Sequence, residues 1–96
     1  MTTIVVVSRH PGALRWLERA GHVSDPDVII RVHVTEDNVR GQHVIGTLPC
    51  RLAALCASYA EIELPGLRPA QRGLELSPAD MITAGARLQR YRVEAL

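Results

Sequence analysis

Four β-branched residues in a row, Ile4-Val5-Val6-Val7, run straight into Ser8-Arg9-His10-Pro11-Gly12. That junction constrains the fold more than any other part of the chain. Successive side chains of a strand point to opposite faces, so a strand with no polar residue is apolar on both. Such strands belong inside a parallel sheet covered on both sides. Pro11 suits the first position of a helix, where its missing N–H costs nothing. Ala13, Trp16, Leu17 and Ala20 then recur at helical spacing, and Gly21 stands where a helix stop belongs. The segment predicts strand, tight turn and helix.

The same alternation continues along the chain. Val28–Val34 reads as a second strand. Ile30, Val32 and Val34 alternate there with Arg31 and His33, which places it at a partly exposed face or edge. Asp25 and Asp27 flank Pro26 in the loop before it, where solvation accounts for both acids. Thr35–Gln42 is polar and reads as a turn at Gly41. His43–Ile45 is a third strand, ending in Gly46-Thr47-Leu48-Pro49. A helix opens at Pro49 with Leu52, Leu55, Cys56 and Tyr59 on one face. Glu61–Leu64 reads as a fourth strand or extended edge, and Pro65–Pro69 as a loop. Ser77-Pro78-Ala79-Asp80 carries the marks of a helix start. The last helix is expected to reach about Tyr91, with Met81, Ala84, Leu88 and Tyr91 inward. The pattern predicts one small α/β domain over residues 1–96. Its sheet is mostly parallel and four-stranded, in the order 2-1-3-4, with helices on both faces. In that order strands 1 and 3 diverge at a topological switch point, where open α/β sheets take their ligands. The two loops that meet there are Ser8–Gly12 and Gly46–Pro49.

Composition narrows the function classes. The net charge is +1, with no basic surface of the kind that long nucleic acid requires. All eleven basic residues are arginine, which fits either coding bias or bidentate phosphate contacts. Trp16, Tyr59 and Tyr91 are too scattered to form a stacking platform for single strands. No apolar run approaches the length of a membrane span. The start of the chain reads as a strand rather than a signal peptide, and two cysteines make a poor disulfide framework, so the cytoplasm is the expected location.

The first loop sets a hydroxyl, a fixed cation and an imidazole on adjacent residues, Ser8, Arg9 and His10, ahead of a helix N-terminus at Pro11 and Gly12. That is a phosphate cradle, or else a capped turn with solvated side chains. The second loop has Gly46 for close backbone approach and Thr47 for a hydroxyl, or is a tight strand-to-helix turn. Arg72, before the last helix, is a candidate lid over a ligand or an ordinary surface arginine. Neither a dinucleotide fingerprint nor a Walker loop is present. A thiolate phosphate loop starting at Cys50 would need arginine where Cys56 stands. The four histidines show no metal-ligand spacing, so no metal and no cofactor are expected.

Three segments together, Val7-Ser8-Arg9-His10-Pro11-Gly12-Ala13, Val44-Ile45-Gly46-Thr47-Leu48-Pro49 and Arg72-Gly73-Leu74-Glu75-Leu76-Ser77 with Met81, resemble the small CRISPR-associated Csx-sixteen family found beside type III operons. The resemblance spans nearly the whole chain, and its most specific part is Ser-Arg-His-Pro-Gly-Ala after a strand. It implies a minimal Rossmann-like sensor domain and a ring nuclease that cuts cyclic oligoadenylate, the second messenger of type III systems. It also implies a homodimer whose two-fold symmetry suits the ring. On this resemblance Arg9 and His10 are the catalytic pair. Ser8, Pro11, Gly12, Gly46, Thr47, Leu48 and Arg72 then hold the substrate. Two other classes stay open: a module that binds the messenger without cutting it, and an adaptor subunit of a CRISPR effector.

Overall fold

The computed structural model describes residues 3–24 and 27–96. Met1, Thr2 and the Asp25-Pro26 part of the expected loop lie outside them. The elements are β1 (Ile4–Val7), α1 (Pro11–Arg19), β2 (Val28–Arg31), α2 (Glu36–Val39), β3 (His43–Gly46), α3 (Cys50–Ala53), β4 (Ser58–Glu63), a 3-10 turn (Pro69–Gln71), α4 (Pro78–Thr83) and β5 (Arg87–Tyr91). They form a five-stranded sheet in the order β2-β1-β3-β4-β5. The first four strands are parallel and β5 is antiparallel to β4. The expected four-stranded sheet is therefore corrected to five strands.

Helices cover both faces. On one, Trp16 and Leu17 of α1 and Met81 of α4 pack on Val6, Ile45 and Ala60. On the other, Val39 of α2 with Leu52 and Ala53 of α3 pack on Val5, Val44 and Tyr59. Val5 and Val6 are 2% and 1% exposed. The continuous β-branched run is thus buried on both sides. β2 is an edge strand and stops at Arg31, three residues short of the expected Val34.

The largest correction is at the C-terminus. The helix expected to reach Tyr91 ends at Thr83. Gly85 takes a positive φ of 76°, its N–H donates to Ile82 O, and the next N–H, of Ala86, reaches back to Met81 O at 2.9 Å. That pair of bonds is a Schellman stop. Beyond it Leu88 pairs with Ile62 across the β4–β5 ladder. Met81 and Ala84 are inward on α4 and its cap as expected, whereas Leu88 and Tyr91 matched the helical face only by coincidence of spacing. The helix opening near Pro49 is likewise short, because Ala57 and Ser58 are drawn to Gln42 O and into pairing with β3. Tyr59 is consequently a strand residue, and β4 begins at Ser58 rather than Glu61. The Thr35–Gln42 turn contains the single-turn helix α2.

Candidate ligand cleft at the carboxyl ends of the central strands

β1 and β3 end side by side, with Val7 paired to Gly46. The pairing is close. A methyl group at position 46 would sit 2.8 Å from Val7 O and 2.9 Å from Val7 Cβ, so only glycine fits. Gly46 thereby lets the loops after β1 and β3 converge.

The first loop is fixed from within. Ser8 N–H donates to Arg31 O at 3.0 Å, and Ser8 Oγ accepts from His10 N–H at 3.0 Å. The hydroxyl thus caps the turn while keeping its own proton free to donate. His10 is the N-cap residue of α1, and Pro11 follows as its first residue.

Gly12 meets a second tight contact. A methyl there would fall 2.1 Å from Leu76 O. The start of α1 is therefore pressed on the backbone that leads into α4. That helix is itself capped as the sequence implied, with Ser77 Oγ accepting from Asp80 N–H and the Asp80 carboxylate accepting from Ser77 N–H.

Between Gly66 and Leu76 the chain forms a strap. Gly66 N–H donates to Ala84 O at 2.8 Å, and the 3-10 turn closes with Arg72 N–H on Pro69 O. Gln71 Oε1 accepts from Arg68 N–H.

These pieces enclose a cavity of about 450 Å³. Ser8, Arg9, His10, Gly46, Thr47 and Arg72 line it together, although they come from three distant parts of the chain. Its floor is aliphatic, from Val6, Ile45, Ile62 and Met81, and the strap contributes Leu67, Gln71 and Leu74. Arg9, His10, Thr47 and Arg72 are exposed. No hydrogen bond or ion pair among the described residues occupies their side chains. Three expected site residues do not line the cavity. Pro11 starts α1, Gly12 packs on Leu76, and Leu48 faces the other core layer, its N–H donating to the Tyr59 hydroxyl at 2.8 Å. Gln71 and the strap leucines were missed by sequence reasoning. The available signal was three leucines, Leu67, Leu74 and Leu76, in an otherwise polar loop.

The arrangement offers two guanidinium forks, an imidazole and hydroxyls above an apolar floor. That suits a ligand with both anionic and flat apolar parts. The remaining histidines lie elsewhere: the His22 ring lies tilted against Trp16, His33 is exposed, and His43 Nδ1 bonds Ser58 Oγ at 2.6 Å. Cys56 Sγ donates to Leu52 O, and burial pushes its thiol pKa up, so it behaves as a core residue. Cys50 is exposed at the start of α3. Among the described residues no helix is long and apolar enough to cross a membrane, and no three His, Cys, Asp or Glu side chains gather as a metal site.

No curated protein and no solved structure matches the chain. A family model described as "Putative CRISPR-associated protein (Cas_VVA1548)" matches residues 5–94, which takes in both loops and the strap. The chain belongs to this CRISPR-associated family.

Proposed function

We propose that the protein is a ring nuclease that cuts cyclic oligoadenylate, with cyclic tetra-adenylate the first substrate to test, and so switches off type III CRISPR signalling. The observation that carries this reading is the convergence of Ser8, Arg9, His10, Thr47 and Arg72 on one cavity in a CRISPR-associated chain. The aliphatic floor accepts a purine, and the polar rim accepts its ribose and phosphate. The order of the first four strands and the helices on both faces support a Rossmann-like domain reduced to its minimum.

The chemistry asks little of the protein. A ribose 2′-oxygen attacks its own 3′-phosphorus, the bond to the 5′-oxygen breaks, and a 2′,3′-cyclic phosphate end forms. The 2′-proton leaves to a base, and the 5′-oxygen takes up a proton. The protein must hold the attack in line and stabilise charge on the phosphorane oxygens. Arg9 binds the scissile phosphate. His10 moves the proton or orients the ring. Ser8 and Thr47 fix ribose or phosphate oxygens, Gly46 permits close approach, and Arg72 closes from the strap. Pro11, Gly12 and Leu48 act through the backbone that positions these groups. A homodimer presents one such cleft to each half of a two-fold ring.

The test is incubation of the purified protein with cyclic tetra-adenylate in EDTA, with products resolved by chromatography and mass spectrometry. Linear products ending in a 2′,3′-cyclic phosphate are expected. An intact ring with a raised melting temperature would reduce the reading to a binding module. An intact ring without a shift would remove this ligand.

A further inference from the structure

The edge strand β2 is unusually open for an outer strand. Ile29 and Ile30 point to opposite faces and are 42% and 55% exposed. Native edges are ordinarily blunted by charge, proline or a covering loop. Asp27 and Arg31 direct their carbonyls inward, accepting from Ile4 N–H and Ser8 N–H of the β1 side. By alternation, Val28 and Ile30 direct their N–H and C=O groups outward. Two further observations concern charge. Asp27, in the bend just before β2, and Arg31, the last residue of the strand, carry opposite charges four residues apart. No ion pair among the described residues uses either side chain.

We infer that β2 pairs antiparallel with β2 of a second copy, about a two-fold axis through Ile29. The register follows from which backbone groups are free. Val28 must exchange hydrogen bonds with Ile30 of the partner subunit, and Ile29 then meets its own symmetry mate in a non-hydrogen-bonded pair. In that register each Asp27 stands opposite Arg31 of the partner subunit, so unlike charges face one another at both ends of the contact. A strand with its acid at one end and its base at the other is complementary to itself only when antiparallel. No other free register aligns these charges. The two sheets become one of ten strands, with the clefts opening at opposite ends. This contact is therefore separate from any pairing that brings two clefts onto one ring, and it does not depend on the nuclease reading.

Sedimentation velocity over a concentration series at low salt tests it, with far-UV circular dichroism to establish that each variant is folded. The wild-type chain is expected to dimerise. Asp27→Arg and Arg31→Asp each set like charges opposite one another twice per dimer and should raise the dissociation constant about tenfold or more. Asp27→Arg with Arg31→Asp exchanges the pair and should return it to within about threefold of wild type. Ile29→Lys, at an exposed position, places two ammonium groups at the axis and should abolish the β2 contact, giving a smaller assembly than wild type, even where a charge variant fails to fold. A wild-type monomer throughout would overturn the proposal and leave the edge to a different protein's strand. So would a dimer indifferent to the single variants, or a double variant no tighter than they are.

Discussion

The two faces of the sheet treat their polar side chains in opposite ways. Beside β4 and β5, on the face that carries α2 and α3, they are tied to one another. The Tyr59 hydroxyl donates to Glu61 and accepts from Leu48 N–H. Glu63 receives both the Tyr91 hydroxyl and the Arg87 guanidinium. In the cleft on the other face, Arg9, His10, Thr47 and Arg72 are held near one another without partners among the described residues. Groups that fix strand register use up their hydrogen-bonding capacity on neighbours. Groups in the cleft retain theirs, and the structure around them is secured by backbone contacts at Gly46, Gly12 and Ser8 instead.

The contrast is broken most sharply by removing Arg9. Arg9→Ala should lower kcat/KM on the ring by about 10²–10³, the effect of deleting one donor to a developing oxyanion, while the thermal unfolding midpoint stays near wild type. A comparable loss from Arg87→Ala would erase the distinction between the two faces. The backbone contacts answer in the other currency. Gly46→Val and Gly12→Ala force side chains into Val7 and into Leu76 O, and each should destabilise the fold by about 1–3 kcal/mol, read as a shift in the urea midpoint. Tyr59→Phe leaves Leu48 N–H without its acceptor and should cost about 1–3 kcal/mol with ring cleavage retained.

The smallest effect sharpens the comparison through pH. Burial, the Glu61 hydrogen bond and the Glu61 charge raise the Tyr59 pKa above the ordinary 10.0. The bond to Glu63 raises that of Tyr91. Their contribution to stability is full below pH 10 and is lost as pH climbs through the raised values. Glu63 has the opposite sign. Its bonds to Tyr91 and then Arg87 hold it below the ordinary 4.5, so its contribution is present above that pH and fades as pH falls. Absorbance at 295 nm should show little tyrosinate in the folded protein at pH 10, and a rise on unfolding in urea at the same pH.

Much of the cleft was legible because its determinants are local. A β-branched run, a loop with proline at the helix start and a second loop opening on glycine each declare themselves within a few residues. The Ser77–Asp80 cap did the same. The misses came from contacts far apart in sequence. Leu88 and Tyr91 satisfy a helix spacing and a strand alternation equally, and only the Gly85 stop together with the partner β4 decides between them. Tyr59 looked helical until Ser58 found His43 across the ladder. The strap's share in the cleft was missed because it lines a cavity whose floor is assembled from β1, β3 and β4, which no local pattern announces.

The strap's two ends have a mechanical consequence. One is hydrogen-bonded through Gly66 to Ala84, and the other is clamped where Leu76 meets Gly12. A segment pinned at both feet cannot swing away as a hinged flap does; it can only bow, and a bowed segment travels farthest at its middle. Arg72 and Gly73 lie in the span between the two anchors, and Gly73 supplies a positive φ of 80° there. The amplitude of any opening is thus concentrated on the Arg72 guanidinium, while the apolar floor beneath it stays still.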